Sequence, residues 1–61
     1  MKAINKRTNT VHAINPVMFG YQVCSFPSWE SATIEDVKFF SEKEFNERFV
    51  IEKGEYNNET F

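Results

Sequence analysis

The chain of 61 residues is poor in the residue types on which most recognisable chemistry depends: one cysteine, one histidine, two glycines and two prolines. A single cysteine forms no disulfide within the chain, which argues against a disulfide-stapled secreted domain and favours a reducing compartment. Two isolated glycines build no phosphate-binding loop. No apolar run approaches the roughly 20 residues of a membrane-spanning helix, and no signal-peptide hydrophobic region is present. We therefore expect a cytoplasmic protein without membrane contact.

The scarcity of histidine and cysteine also limits metal binding and nucleophilic catalysis. A structural zinc site needs four ligands, typically in closely spaced pairs, whereas His12 and Cys24 are single residues. In principle His12 is a base and Cys24 is a nucleophile. A chain this short, however, has little room for a substrate cleft and an orienting third group. We predict no metal site, no cofactor and no enzymatic activity.

Aromatic residues, in contrast, are abundant, with seven Phe, two Tyr and one Trp. Each of these side chains buries roughly 150–250 Å², which supplements the small core of a chain this size. A net charge of only -2 and 41% hydrophobic residues fit a globular domain. One sheet and one short helix do not bury ten aromatic side chains, so the surplus is available for an interface. The surplus candidates are Phe26, Trp29, Tyr56 and Phe61.

The clearest secondary-structure signal is a helix start at Ser41. Ser41 is suited to cap the first turn, and Glu44, three residues later, completes a capping box. Phe40 and Phe45 occupy the two positions of a hydrophobic staple. Phe49 lies on the same helical face as Phe45, four residues further on. The pattern predicts a helix over residues 42–49 whose aromatic side packs against a sheet.

Two strand patterns precede this helix. Residues 1–14 predict a hairpin, and a two-residue loop at Thr8-Asn9 would place Ile4 opposite Ala13. Proline lacks an N–H donor and restricts its predecessor, so Asn15-Pro16 predicts a break. The strict alternation over residues 17–26 then predicts the best strand of the chain.

Three further features complete the secondary-structure prediction. Gly20, inside the strand predicted over 17–26, indicates a bulge or a close backbone approach. Residues 33–40 are ambiguous between a helix begun by a capping box at Thr33 and Asp36 and a short strand over 37–40, which we favour. A final strand is expected over residues 50–53.

The predicted fold is a small α+β domain, an antiparallel sheet of three to five strands with one short helix packed on it. The domain covers residues 1–53. Residues 54–61 are polar, and we expect them to fray.

Charge is unevenly distributed along the chain. Residues 1–24 contain three cations and no acid, whereas residues 25–61 contain nine acids and four cations. The cations of the first hairpin, Lys2, Lys6 and Arg7, are suited to contact phosphates, with nearby aromatics stacking on bases. Nucleic-acid-binding domains usually have a basic excess, so this interpretation is kept as an alternative and nucleic acid is not the partner we favour.

The predicted helix supports a different partner. Glu42, Glu44 and Glu47 form either a solvated face or a surface that meets a basic protein. Together with Phe26 and Trp29, these acids are the residues that we predict to bind a partner. The favoured function is thus a non-enzymatic protein-binding module, and a structural homodimer is the third hypothesis.

Two segments carry a resemblance to known proteins. Residues 1–14 resemble the first hairpin of many small bacteriophage and prophage proteins of unassigned role, and residues 40–49 are similar to the segment that closes several of them. The two segments cover fewer than half of the residues and contain no catalytic motif. The resemblance implies a phage-encoded accessory protein that binds a host protein in the host cytoplasm and inhibits or redirects it.

Overall fold

The computed structural model describes residues 1–52, which form one five-stranded antiparallel sheet with a single α-helix on one face. The predicted α+β fold is confirmed. The strands are β1 (Lys2–Asn5), β2 (Val11–Val17), β3 (Gly20–Cys24), β4 (Val37–Ser41) and β5 (Phe49–Ile51), and their order across the sheet is β4-β3-β2-β1-β5. The helix, α1 (Glu42–Arg48), joins the two edge strands. The predicted tail, residues 54–61, lies outside the described residues.

The first hairpin is present, but its predicted register is wrong. Ile4 pairs with Val11 rather than with Ala13. The loop contains four residues instead of two, because the N–H of Asn5 donates to the carbonyl of Thr10 across its mouth (2.9 Å). The length of this loop is determined by a side chain at its base and not by the Thr8-Asn9 dipeptide at its tip.

That side chain belongs to Asn5, the last residue of β1. Its Oδ1 accepts hydrogen bonds from the N–H groups of Arg7 (2.8 Å) and Thr8 (3.1 Å). Asn9 then adopts a φ of 62°, a left-handed conformation that asparagine tolerates better than most residues. The Asx turn and the left-handed residue together close a loop that carries no Asn-Gly or Asp-Gly signal.

The predicted break at Asn15-Pro16 is also wrong, since β2 continues through Pro16. Val17 pairs with Gly20 and closes the next turn. Hydrogen-bonded and non-hydrogen-bonded pairs alternate from there, so Pro16, opposite Tyr21, occupies a non-hydrogen-bonded position. The missing N–H of proline therefore costs no bond to β3.

The strand predicted over residues 17–26 is shorter than expected. Met18 and Phe19 form a tight turn between β2 and β3, and β3 ends at Cys24. The apolar residues Val17, Tyr21 and Val23 keep one odd-numbered alternation in the sequence, but they do not share a face. Val17 pairs with Gly20 across the turn and so lies on the side of the sheet opposite to Tyr21 and Val23. Sequence alternation alone therefore did not reveal the turn.

Both interpretations of residues 33–40 hold in part. The Asp36 carboxylate accepts hydrogen bonds from the Thr33 N–H (2.9 Å) and hydroxyl (3.1 Å), and a single 3₁₀ turn forms over Ile34–Asp36. The favoured strand, β4, begins at the next residue, Val37. The predicted capping box at Thr33 and Asp36 is therefore present, but it begins a single turn instead of a helix.

The helix begins at the predicted cap, but the Glu44 carboxylate makes no hydrogen bond back to the Ser41 N–H, so half of the predicted capping box forms among the described residues. Ser41 Oγ accepts a hydrogen bond from the Glu44 N–H (3.2 Å). The helix ends one residue before its predicted limit, where the Phe49 N–H donates to the Phe45 carbonyl and the chain continues into β5. The Lys6 ammonium, from the first loop, donates to the Asn46 carbonyl (2.8 Å) and so satisfies one free acceptor near the helix C-terminus.

The core lies between α1 and the sheet. Phe45 is almost fully buried; its ring stacks on Tyr21 with centroids 4.0 Å apart and on Phe49 with centroids 5.2 Å apart. Phe40 meets Phe49 edge-on, with centroids 5.4 Å apart. The remaining core residues are the small and branched side chains Ala3, Ile14 and Val23. The aromatic rings of Tyr21, Phe40, Phe45 and Phe49 thus form a continuous cluster between α1 and the sheet.

Candidate protein-binding surface

The two faces of the sheet differ in what covers them. Side chains alternate between the faces along each strand. Tyr21 and Val23 contact the helix side, so Gln22 and Cys24 point to the opposite side. The same alternation places Phe40 under α1 and Phe39 on the opposite face. No helix of the described residues covers that opposite face.

The loop between β3 and β4 begins on this opposite face. The Cys24 thiol accepts a hydrogen bond from the Phe26 N–H (3.4 Å) and lies 3.8 Å from the Ser28 carbonyl oxygen. The Phe26 carbonyl accepts from the Ala13 N–H of β2 (2.8 Å). Cys24 and Ala13 are buried here although no helix covers them. The loop therefore replaces the helix as the cover at the centre of this face.

Large apolar side chains remain exposed on and around this loop. Phe26 is 45% exposed and Trp29 40%, and on the flanking strands Phe39 is 56% and Val50 50% exposed. A shallow depression of about 350 Å³ is lined by the loop residues Phe26, Pro27, Ser28, Glu30 and Ser31. We call the sheet side that carries Phe26, Trp29, Phe39 and Val50 the loop face.

The loop face has few charges. Alternation from Ile4 and Val50 assigns Lys2 and Glu52 to this side. The connection between β3 and β4 adds the exposed acids Glu30 and Glu35. The helix contains five charged residues and is the polar side of the molecule. Large apolar surfaces with few charges are characteristic of protein interfaces.

The structure divides the predicted partner-binding residues between the two sides. Glu42, Glu44 and Glu47 are all exposed on α1, whereas Phe26 and Trp29 belong to the loop on the other side of the sheet. One partner surface therefore does not contact both groups across a flat interface. The prediction of a combined aromatic and acidic site does not match this geometry.

The three basic hairpin residues do not share one surface, because Lys2 is separated from Lys6 and Arg7. Arg7 lines an open depression of about 380 Å³ with Lys6, Glu47 and Arg48. The Lys6 ammonium is already bonded to the helix C-terminus, and the Arg48 guanidinium lies over the Phe40 ring, 5.7 Å from its centroid. Lys2 lies on the loop face. The hairpin therefore presents no continuous row of free cations.

His12 and Cys24 are adjacent but are not arranged as a base and a nucleophile. His12 Nδ1 lies 2.7 Å from the Cys24 carbonyl oxygen, and a carbonyl only accepts, so Nδ1 is the donor. His12 Nε2 lies 2.7 Å from the Thr10 hydroxyl. The thiol points away, towards the loop. Histidine here anchors the end of β3 to β2.

Phe39 and Val50 are surface residues that the sequence interpretation did not select. Phe39 precedes the staple residue Phe40, and Val50 lies between Phe49 and Ile51. In a strand, the neighbour of an inward-facing residue faces outward. Applying this rule to the Phe39-Phe40 pair would have placed one phenylalanine outside the core.

Comparisons with protein-family models, with curated protein sequences and with solved structures found no match. Among residues 1–52, no three histidine, cysteine, aspartate or glutamate side chains are grouped so that they could hold a metal ion. The described residues contain no helix long and apolar enough to cross a membrane.

Proposed function

We propose that this protein is a non-enzymatic protein-binding module whose binding surface is the loop face. The observation that carries the proposal is the exposure of Phe26, Trp29, Phe39 and Val50 on the side of the sheet that is not covered by any helix of residues 1–52. Aromatic residues are enriched at protein interfaces, and tryptophan is among the residues that most often contribute a large share of the binding energy. The partner is expected to present an apolar surface with a polar rim.

The identity of the partner and the effect of binding are proposed from the resemblance to small phage proteins. On that basis the partner is a host protein in the host cytoplasm, and binding inhibits or redirects it. The acidic side chains of α1 lie outside the loop face, so they are assigned to solubility or to a second contact.

The test is affinity capture of the tagged chain from host-cell lysate, with and without nuclease, using two variants of the loop face. Trp29→Ala removes the aromatic side chain, and Val50→Lys adds a charge at a half-exposed position. Each variant is expected to lose capture of the partner while its circular dichroism spectrum stays that of the parent chain. Phe19→Lys is the matched control, since Phe19 is 76% exposed at the turn between β2 and β3.

The outcomes separate the hypotheses. Capture that survives nuclease and is lost only with the loop-face variants supports the proposal. Equal loss of capture with Phe19→Lys contradicts the assignment of binding to the loop face. Unfolding of the Trp29→Ala variant would show that Trp29 stabilises the fold. Recovery of nucleic acid alone, weakening steeply with salt, would favour the basic hairpin instead.

A further inference from the structure

The outer edge of β4 is not covered by the described residues. Hydrogen-bonded and non-hydrogen-bonded pairs alternate along β3 and β4. The Ser25 N–H donates to the Asp36 carbonyl (2.9 Å), so the inward-bonding positions are Asp36, Lys38 and Phe40. The backbone groups of Val37, Phe39 and Ser41 point outward.

Two of these outward groups are already bonded within the chain. The Val37 N–H donates to the Ile34 carbonyl and ends the 3₁₀ turn. The Ser41 carbonyl, at the helix N-cap, accepts the first bond of α1. Within residues 1–52, the groups left without a partner are therefore the Val37 carbonyl, both backbone groups of Phe39, and the Ser41 N–H.

This set is self-complementary. If a second β4 lies antiparallel with Phe39 opposite Phe39 of the second copy, the two residues exchange two hydrogen bonds. The Ser41 N–H of each copy then meets the Val37 carbonyl of the other, which adds two more. The two groups that this pairing would leave unused are the two already bonded within each chain. The free donors and acceptors of the edge are thus matched by a copy of itself.

We propose that two copies of this chain pair through β4 about a twofold axis at Phe39, forming a continuous ten-stranded sheet. Such an isologous contact closes after two copies. It places two exposed Phe39 rings side by side on the loop face, and cross-strand aromatic pairs of this kind are stabilising. The inference goes beyond the proposed function, because it concerns the strand edge and needs no foreign partner.

The other edge is less suited to this pairing. β5 has three residues, and the N–H of its first residue, Phe49, already donates to the Phe45 carbonyl. Pairing of β4 with β5 of another copy would be heterologous and would produce closed rings or open filaments instead of twofold dimers. A filament is therefore an outcome that contradicts the proposal.

The direct test removes one backbone hydrogen-bond donor, the N–H of Phe39, from the outer edge of β4. A chain of this length is accessible to total synthesis, and N-methylation of Phe39 blocks its outward N–H while keeping the aromatic side chain. N-methylation of Ile51 is the matched control, since its N–H points outward from β5 by the same alternation. Sedimentation equilibrium over a range of concentrations measures the dimer dissociation constant of the parent and both variants.

We expect a reversible dimer for the parent and for the Ile51 variant, and a dissociation constant raised by about tenfold or more for the Phe39 variant, because two symmetry-related bonds are lost. A parent chain that stays monomeric at millimolar concentration would overturn the proposal. Loss of association in the Ile51 variant but not in the Phe39 variant would overturn it as well.

A cysteine pair provides an independent check that keeps the backbone intact. Phe39→Cys would place two thiols across the twofold axis with Cα atoms about 5.5 Å apart, within disulfide range. Mild oxidation is expected to convert this variant to a covalent dimer. Val50→Cys, equally exposed on the other edge strand, is expected to stay monomeric, and native Cys24 is buried. Equal cross-linking of both variants would contradict the pairing.

Discussion

At the scale of single residues, Gly20 is the position that tolerates least change. A Cβ atom there would lie 2.9 Å from the Ser41 Cα and 3.0 Å from the Phe40 carbonyl carbon, and closer still to the Phe40 oxygen. These are backbone atoms of β4, which do not move aside as a side chain would. The close approach that the sequence indicated for Gly20 is confirmed.

We predict that Gly20→Ala lowers the free energy of unfolding by about 2–3 kcal/mol, the upper part of the range for overpacking, because β4 has to move away from β3. Urea denaturation measures the change. Gln22→Ala, at an exposed position of the same strand, is the control and is expected to stay within about 0.5 kcal/mol of the parent. An equal decrease in the free energy of unfolding for the two variants would show that β4 shifts easily to accommodate a side chain at position 20.

Residue chemistry predicted some of these local features and missed others. A glycine inside a strand pattern has few explanations, and a close backbone approach is one of them. Pro16 was misassigned because the cost of proline depends on whether its position bonds to the neighbouring strand, which is set by the register. The register follows from a turn two residues away and is not a property of proline.

At the scale of elements, α1 depends on one side chain for its attachment to the sheet. Seven residues are too few for a helix that persists alone in water. Phe45 is 1% exposed and stacks on both Tyr21 and Phe49. The helix therefore forms because it is packed, and its packing depends mainly on Phe45.

We predict that Phe45→Ala costs about 3–5 kcal/mol of stability, as is usual for truncating a buried phenylalanine. A domain of this size has a total stability of about 3–9 kcal/mol, so the variant should lose about a third or more of that stability. Phe19→Ala, at the exposed turn, is the control and should change stability by less than about 0.5 kcal/mol.

Far-UV circular dichroism with thermal denaturation decides between these outcomes. Indistinguishable melting curves for Phe45→Ala and Phe19→Ala would mean that α1 is not held by the aromatic stack. The two substitutions remove the same side chain, so the comparison isolates burial.

Elements whose signals are local were predicted well. The Ser41 cap and the spacing of Phe45 and Phe49 determine where the helix begins and which side it buries. The first hairpin register was not predicted, because the loop is closed by the Asn5 side chain and by a left-handed Asn9. The Asn5 hydrogen bonds and the Asn9 conformation are both formed only when the loop is folded.

At the scale of the whole molecule, the sheet separates a charged helix side from an apolar loop side. The sequence showed that aromatic residues were in surplus but not that Phe26 and Trp29 would lie on the side opposite to the acidic helix. That division follows from the chain crossing to the uncovered face directly after Cys24. Because of this asymmetry, we propose the loop face as the binding surface.

The most direct test of that claim is site-specific photo-cross-linking in lysate. Benzoyl-phenylalanine is placed at Trp29, at Val50 or, as the control on the exposed side of α1, at Lys43, and the adducts are identified by mass spectrometry. The account predicts that positions 29 and 50 cross-link to the same foreign protein and that position 43 does not. Cross-linking of that protein from position 43 alone would contradict the account.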